Sequence, residues 1–151
     1  MNLQYSGEEI IAADKAAVWK AINDPEWVGR CLPDVKEVTV IDRTHFDAVV
    51  GVGVGPVRGK FKFKFELQPD AAARRMNMKI SGGGFGSALD LTAGADIVGV
   101  DASSTLLNWS GEAVMRGPIA AVGGRVLDAQ ARKLIEQTFA NVRVTLSAVG
   151  P

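Results

Sequence analysis

The sequence predicts an α+β fold: a seven-stranded antiparallel sheet wrapped around a long C-terminal helix, with two short helices after the first strand. Two observations lead to this prediction. Between residues 35 and 115 apolar and polar residues alternate with a period of two, and turn residues recur at regular intervals. Residues 117–149 are instead the one long stretch with helical spacing. At 151 residues we expect one domain, residues 1–151, with a sizeable core.

The C-terminal segment has the features of an amphipathic helix. Gly117 and Pro118 suit its start, because proline is tolerated in a first helical turn. About 25 residues at the helical rise span roughly 37 Å, which is enough to cross the sheet of a small domain. Gly123 and Gly124 each weaken a helix by about 1 kcal/mol relative to alanine, so we expect a hinge that makes the first turn a movable lid. The apolar residues predicted to share one face are Val126, Leu127, Leu134, Ile135, Phe139 and Val142.

Shorter elements come before this segment. Residues 3–12 are predicted to form the first strand. Asp14 is the expected N-cap of one short helix. Asp24 and Pro25 start a second short helix as N-cap and first helical residue, and Pro33 ends it. The six further predicted strands are residues 35–41, 45–52, 56–67, 74–81, 87–98 and 103–115.

One strand shows the alternation with particular clarity. Its phenylalanines and lysines project to opposite faces, because successive side chains alternate across a strand. The phenylalanines are Phe61, Phe63 and Phe65, and the lysines are Lys60, Lys62 and Lys64. The same parity adds to the phenylalanine face, as one apolar wall, Phe46, Ala48, Val50, Val52, Met76, Met78, Ile80, Leu89, Leu91, Ala93, Leu107 and Trp109. We expect the C-terminal helix to cover this wall, since no other element is long enough.

Composition excludes several classes of protein. Seventeen Lys and Arg balance seventeen Asp and Glu, so no net charge attracts nucleic acid. A single cysteine, Cys31, cannot form a disulfide within the chain, and the N-terminus lacks the pattern of a secretory signal. No run of about 18 apolar residues can span a membrane. We therefore expect a cytoplasmic protein whose membrane contact, if any, is peripheral at the inner face.

Few residues are candidates for catalysis or metal binding. His45 is the only histidine, so zinc sites with several imidazoles are excluded, and we expect His45 in a turn or on the surface. Cys31 is expected to pack as a small apolar residue, the alternative being a nucleophile activated by His45. Residues 51–56 and 82–86 are rich in glycine, but each leads into a strand and does not fit phosphate binding. For residues 82–86 a bend or bulge is expected, the alternative being room for a ligand near the edge of the sheet.

The lysine row allows two interpretations. Lys60, Lys62 and Lys64, joined by Arg74, Arg75 and Lys79, would form a basic strip. Such a row is usually a solvated face. The alternative is docking to an acidic partner or to anionic lipid headgroups. Aromatic residues are lacking on that face, which argues against binding of single-stranded nucleic acid.

The order of elements and several short motifs resemble a known family. Strand, two helices, six strands and a long helix resemble the helix-grip fold of the START-like and Bet v 1-like (SRPBCC) superfamily. Within it, the chain resembles the CoxG family of carbon monoxide dehydrogenase subunits over essentially its whole length. The motifs that carry the resemblance are residues 24–26 (DPE), 31–34 (CLPD), 55–57 (GPV), 59–61 (GKF), Trp109, 117–120 (GPIA) and 123–125 (GGR).

The resemblance implies a non-enzymatic carrier of a hydrophobic ligand, a lipid or an isoprenoid quinone. It also implies service to a molybdenum-containing carbon monoxide dehydrogenase or related hydroxylase, with no cofactor and no metal. The apolar wall alone leaves open whether the interior is a ligand cavity or a packed core. If a cavity, its entrance is expected near the N-terminal end of the long helix, and its lining residues would be Leu32, Val50, Phe61, Phe63, Phe65, Met76, Met78, Phe85, Leu91, Trp109, Ile119, Val122 and Leu127.

Two functions other than that of a carrier remain open. One is a ligand-free maturation or recruitment factor that docks on such an enzyme through the basic strip. The other is an enzyme of the polyketide-cyclase or hydratase type known on this fold. The second lacks a visible constellation of polar residues: the candidate carboxylates Asp90, Asp96, Asp101, Glu112 and Asp128 form no close pair in sequence.

Overall fold

The computed structural model describes residues 1–149, with side chains described through residue 146. Over these residues the chain forms the predicted sheet and helices in the predicted order, which confirms the fold class. The elements are β1 (Asn2–Ile11), α1 (Lys15–Ile22), α2 (Pro25–Arg30), β2 (Val35–Val40), β3 (His45–Val54), β4 (Val57–Asp70), β5 (Arg75–Gly84), β6 (Ser87–Asp101), β7 (Ser104–Arg116), a short 3₁₀ helix (Ala120–Val122) and α3 (Gly124–Val149).

The strands form one antiparallel sheet in the order β1-β7-β6-β5-β4-β3-β2. Strands β2 to β7 are joined in sequence as a meander, and β1 pairs with β7 at the far side. Two-residue turns are enough to connect β3 to β4 and β5 to β6, so these strands pair up to their ends. Consequently β1 and β2 are the two edges of the sheet.

The register confirms the predicted apolar wall. Phe46 lies opposite Phe65, which lies opposite Ile80, which in turn lies opposite Leu91. Directly paired residues share a face of the sheet, so these side chains form one row. The rings of Phe46 and Phe65 stack with their centroids 4.4 Å apart. We call this face, which is turned toward α3, the inner face; Lys60, Lys62 and Lys64 lie exposed on the outer face.

The predicted caps of the two short helices are also present. The Asp14 side chain accepts a hydrogen bond from the Ala17 amide at 2.7 Å. Asp24 accepts from the Glu26 amide at 3.0 Å, with Pro25 as the first helical residue. Each carboxylate satisfies an amide that has no partner within its own helix.

The start of the long helix differs from the prediction. Instead of continuing from Pro118, the chain makes the 3₁₀ turn and then breaks at Gly123, whose φ is 108°. This value lies in the region that glycine adopts without strain. The Leu127 amide bonds to the Gly123 carbonyl, so regular helix begins only at Gly124. The pair of glycines thus separates two helices rather than weakening one.

The predicted apolar face of α3 is also partly wrong. Val126 and Leu134 are 47% and 40% exposed, whereas Leu127 and Val142 are buried. Consecutive residues point about 100° apart around a helix, so neighbours of buried residues can face solvent. Leu146, which was not assigned to the face, is 4% exposed and continues it. Within the part of the chain that the structure describes, no helix is both long and apolar enough to cross a membrane.

Candidate functional site

The inner face is packed unequally across the sheet. On β3 and β4, which we call the packed half, Phe46 and Phe61 have no exposed surface, and Phe63 and Phe65 are 9% and 5% exposed. On β5, β6, β7 and β1 the middle of each strand keeps its inner side chains only partly buried. These partly buried residues are Leu3, Tyr5, Met78, Ile80, Leu91, Ala93 and Trp109.

Buried residues close both ends of this partly exposed region. Met76, Ile97 and Leu107 are 4%, 2% and 6% exposed at one end. Met115 and Ile119 are both 4% exposed at the other. The inner face therefore has an apolar, partly exposed region that is bounded at each end by well-packed side chains. We call the partly exposed inner face of β5, β6, β7 and β1 the cleft.

Helix α3 crosses the cleft in the same pattern, buried at its ends and looser between them. Leu127 and Leu146 are each 4% exposed, while Ile135 and Phe139 in the middle are only partly buried. The Phe139 ring nevertheless meets Trp109 of β7, with centroids 5.6 Å apart. The helix thus covers the cleft with side chains that, at its middle, are themselves only partly buried.

A polar latch joins α3 to the first strand at the edge of the cleft. The Tyr5 hydroxyl donates a hydrogen bond to Asp128 at 2.7 Å, and Arg132 donates to the other oxygen of Asp128 at 3.1 Å. The Arg132 guanidinium also lies over the Tyr5 ring, 5.2 Å from its centroid. The hydrogen bond from Tyr5, followed by that from Arg132, lowers the pKa of Asp128, while burial and Asp128 raise the pKa of Tyr5. At neutral pH both groups keep one protonation state, as suits a structural contact.

Trp109 brings an unused polar group to the cleft. Its indole nitrogen is buried and has no hydrogen-bond partner among the described residues. The ring lies against Gly7, where a Cβ would stand 3.1 Å from the indole. A buried donor without an acceptor costs free energy, so an oxygen atom on a bound molecule would be favoured here. Trp27 of α2 has a similar unpartnered nitrogen outside the cleft.

The structure distributes the predicted lining residues over three places. Met78, Leu91 and Trp109 line the cleft itself, and Met76 and Ile119 close its ends. Other members lie in or beside the packed half, or at the turns beyond it. In the packed half are Phe61, Phe63, Phe65 and, partly buried beside them, Val50 and Leu32. Near the start of α3 are Leu127, buried, Val122, partly buried, and Phe85, which is 66% exposed.

Sequence reasoning missed several residues of the cleft. The sequence predicts a strand at residues 3–12 without indicating Tyr5 as a site residue, and Asp128 is only one of several carboxylates that form no close pair in sequence. Phe139 was assigned to the covering helix without a place in the lining. Alternation from Leu3 could have put Tyr5 on the inner face. Nothing local could have paired Tyr5 with Asp128, which lies 123 positions away.

The glycine run at residues 82–84 offers no space for a ligand at its first two positions. A Cβ on Gly82 would lie 2.1 Å from the Lys62 carbonyl oxygen, and one on Gly83 would lie 2.0 Å from that of Ser87. Both gaps are occupied by neighbouring backbone. The glycines serve the close approach of strands, so the alternative of a ligand there is wrong.

The remaining candidates for chemistry have structural roles. Cys31 is 3% exposed, its Sγ lies 3.5 Å from the Thr145 hydroxyl, and burial raises the pKa of its thiol. This environment confirms packing and disfavours a reactive thiolate. His45 contacts Asp42 at 2.8 Å on the surface. Across residues 1–149 the structure shows no group of three or more His, Cys, Asp or Glu suited to a metal ion.

Two of the candidate carboxylates and two arginines of the extended basic strip make other contacts. Asp90 pairs with Arg116 at 2.9 Å, and Asp96 pairs with Arg75 at 3.0 Å. Arg74 stacks over Trp19 of α1. Arg74 and Arg75 therefore do not extend the basic strip as predicted.

A second hollow lies on the outer face and has a different character. It has a volume of about 750 Å³ and is open to solvent. Polar side chains such as Gln4, Asn77 and Thr92 line it, and Arg75 crosses its floor above Gly94. Its lining suits water rather than an apolar molecule, so the cleft on the inner face is the better candidate for a hydrophobic ligand.

Solved structures share this architecture at low sequence identity. A conserved protein from Geobacillus kaustophilus superimposes with a TM-score of 0.87 at 21% identity, covering 97% of this chain and 96% of that one. A START superfamily protein from Mycobacterium smegmatis gives 0.75 at 16%, covering 97% and 99%. The Zhui aromatase/cyclase from a Streptomyces species gives 0.64 at 14%, covering 97% and 92%. These similarities show the START-like helix-grip fold.

Comparison of sequences identifies the family. A search among curated proteins gave no match. The model of the CoxG family of carbon monoxide dehydrogenase subunits, however, matches residues 7–147, which is nearly the whole chain. The match includes every strand and helix that borders the cleft apart from the start of β1. The chain therefore belongs to the CoxG family of carbon monoxide dehydrogenase subunits.

Proposed function

We propose that this protein binds a hydrophobic molecule in the cleft and carries it without chemical change. The observation that carries the proposal is the unequal packing of the inner face. Apolar side chains such as Met78, Ile80 and Leu91 stay partly exposed beneath α3, although buried residues surround them. Leaving such surface in contact with water costs about 25 cal/mol per Å², which a bound apolar molecule would recover.

The ligand class we propose is an isoprenoid quinone. Its isoprenoid chain would lie along Met78, Ile80 and Leu91, and the wall of Phe61, Phe63 and Phe65 would support the adjoining side. Its head group carries carbonyl oxygens, and one of them would accept a hydrogen bond from the free N–H of Trp109. A ligand that is hydrocarbon alone would match the apolar surface but could not accept this hydrogen bond.

The proposed role is accessory to a carbon monoxide dehydrogenase or a related molybdenum hydroxylase, to which the family name points. A carrier would exchange quinone between that enzyme and the membrane, which it would reach peripherally from the cytoplasmic side. The second candidate is a ligand-free factor that recruits or matures the enzyme. For an aromatase/cyclase-like activity, the polar groups seen at the cleft give little support, because Tyr5, Asp128 and Arg132 are engaged with one another.

Extraction of the purified full chain with organic solvent, followed by mass spectrometry, tests the proposal directly. We expect a quinone in the extract, and we expect a short-chain ubiquinone analogue to quench the tryptophan fluorescence of protein that has been stripped of ligand. An extract without quinone, together with no binding of the analogue, would contradict the carrier and favour the ligand-free factor.

The role of Trp109 is tested with two probes that share a side chain, one bearing the quinone ring and the other a plain benzene ring. Trp109→Phe should weaken binding of the quinone about fivefold, as expected for the loss of one hydrogen bond, and should leave the other probe unaffected. Trp27→Phe is the matched control, because its indole nitrogen is also buried and unpartnered but lies outside the cleft. If the two substitutions weakened quinone binding equally, Trp109 would not be the polar anchor.

A further inference from the structure

Three neighbouring segments form one end of the molecule, which we call the tip. They are the β3–β4 turn with the start of β4 (residues 53–60), the β5–β6 turn (residues 83–87) and the chain that leads into α3 (residues 116–126). Their contacts hold them together. Val122 lies 3.3 Å from where a Cβ on Gly55 would stand, and a Cβ on Gly117 would lie 2.3 Å from the Gly86 carbonyl oxygen.

An aromatic side chain projects from the tip in a costly conformation. Phe85 and Gly86 are the two central residues of the turn between β5 and β6, and both have positive φ, 53° and 80°. Such turns favour asparagine or aspartate followed by glycine, and a bulky residue at positive φ is strained. Phe85 is nevertheless 66% exposed, so burial of its ring gives little in return. Much of this side chain is therefore left in contact with solvent.

Further apolar surface surrounds Phe85. Val126, the third residue of α3, is 47% exposed, and Pro56, Pro118 and Ala121 are exposed as well. The Phe85 ring rests near Phe61, with centroids 6.3 Å apart, and over Gly59, where a Cβ would be only 2.2 Å away. A glycine at residue 59 therefore leaves the space in which this ring sits. The tip thus presents a small apolar surface supported by the packed half.

The charges at the tip are all of one sign. Arg58, Lys60, Arg116 and Arg125 lie within its three segments, which contain no Asp or Glu at all. Lys62 and Lys64 continue the row along the outer face of β4, and residues 52–65 also lack acidic residues. Among the described side chains, Arg58, Lys60 and Arg125 make no ion pair, whereas Arg116 pairs with Asp90. A chain with zero net charge thus concentrates unpaired cations around its exposed aromatic residue.

We propose that the tip docks on the surface of an anionic lipid bilayer. Exposed aromatic and aliphatic side chains enter the interfacial region of a bilayer, and flanking Lys and Arg bind its anionic headgroups. An acidic protein surface would attract the same cations, but it would not explain a strained and exposed phenylalanine in their midst. The docking rests on the proposed function in one respect, since it assigns a surface to the peripheral membrane contact proposed there. It does not depend on the ligand, because lipid binding at the tip and quinone binding in the cleft are measured separately.

Cosedimentation of the full chain with vesicles tests the docking. Vesicles of phosphatidylcholine with about 30% phosphatidylglycerol should bind the protein at low salt, and vesicles of phosphatidylcholine alone should not. Binding should weaken as salt is raised toward 1 M, where the screening length falls to about 3 Å. No binding to the anionic vesicles, or equal binding to both kinds, would overturn the proposal.

Two pairs of variants locate the docking surface. Arg58→Ser with Lys60→Ser should weaken binding to anionic vesicles about 30-fold, which corresponds to about 1 kcal/mol for each cation. Phe85→Ser should weaken it about tenfold, through loss of the apolar contact. The matched controls lie at the opposite end of the molecule, about 45–50 Å away along β6. They are Lys15→Ser with Lys20→Ser on α1 for charge, and Val100→Ser, at a valine that is 55% exposed, for apolar surface.

The controls should bind the vesicles as the unchanged protein does. If they weaken binding as much as the tip variants, the tip is not the docking surface. Each variant is compared with the parent chain by circular dichroism and by urea unfolding, so that a lost fold is not mistaken for lost docking. Since all the substituted side chains are exposed, the expected change in stability is small.

Discussion

The packed half and the cleft belong to one face of one sheet, yet they differ in how fully they are covered. On β3 and β4 aromatic rings fill the space, as the stacked pair of Phe46 and Phe65 shows. On β5, β6, β7 and β1 the central inner side chains, such as Met78, Leu91 and Trp109, are only partly buried. The first region supports the fold, and the second is where we propose that a ligand binds.

Truncation of one side chain in each region should give the largest difference. Phe46→Ala should lower the free energy of unfolding by about 3–5 kcal/mol, because it leaves a hole among buried rings. Leu91→Ala should cost less than about 2 kcal/mol, since Leu91 is already partly exposed. Urea unfolding followed by circular dichroism measures both. A cost for Leu91→Ala close to that for Phe46→Ala would mean that the cleft is as well packed as the rest of the core.

Addition of a methyl group to a glycine tests the same contrast between tight and loose packing. Gly82 lies on β5 beside the packed half, and a Cβ there would meet the Lys62 carbonyl oxygen of β4 at 2.1 Å. Gly82→Ala should therefore destabilise the protein by about 2–3 kcal/mol. A Cβ on Gly7 meets only the Trp109 ring, at 3.1 Å, and the cleft leaves that ring room to shift. Gly7→Ala should therefore cost less than about 1 kcal/mol while changing the tryptophan fluorescence. If both substitutions lowered the stability equally, this expectation would be wrong.

The two ends of α3 should respond differently to the loss of a hydrogen bond. Asn141 donates to the Cys31 carbonyl at 3.1 Å, next to the buried Val142. Asn141→Ala should cost about 1–2 kcal/mol, because it leaves that carbonyl without its partner. Tyr5→Phe should cost about 0.5–1 kcal/mol, since Asp128 keeps its contact with Arg132. Hydrogen exchange of α3 amides would show which end opens first, and we expect Tyr5→Phe to expose the N-terminal end.

The smallest expected effect is a dependence on pH at the outer edge of the packed half. A hydrogen bond to Asp42, together with the nearby Glu66, raises the pKa of His45 above its ordinary value of 6.5. The stabilisation is thus fully present below pH 6.5 and is lost as the pH rises through the raised pKa. His45→Gln should remove this slope from the urea midpoint between about pH 6 and about pH 8. Because His45 lies outside the inner face, ligand binding in the cleft should not change.

Much of the fold could be predicted because it follows from local chemistry. Alternation of Phe61, Phe63 and Phe65 with lysines identifies both the strand and its inner face, whatever surrounds it. Asp14 and Asp24 reveal the starts of α1 and α2, because a carboxylate is suited to bond the first free amides of a helix. The family motifs, spread from residue 24 to residue 125, also identified the family from sequence.

The candidate site was less predictable because it depends on contacts between distant residues. Parity placed Met78, Leu91 and Trp109 on the inner face, as the register confirms, but it could not tell which inner residues pack tightly and which stay partly exposed. The pairing of Tyr5 with Asp128 and the position of Phe139 on Trp109 require the helix to be docked first. Apolar character is the same in a packed core and in a cleft, so composition does not separate them.

By itself the sequence determined the class of fold, the two faces of the sheet and the long final helix. Each of these produces an alternation of apolar and polar residues with a period of two or of 3.6 residues. Tertiary structure decided where that helix begins, which of its apolar residues face solvent and how far it stands from the sheet. It also brought the strained Phe85 and the unpaired Arg58 and Lys60 to one end of the molecule. Those outcomes depend on how the ends of α3 pack and on which turns adjoin it, and such long-range arrangements leave no periodic pattern in the chain.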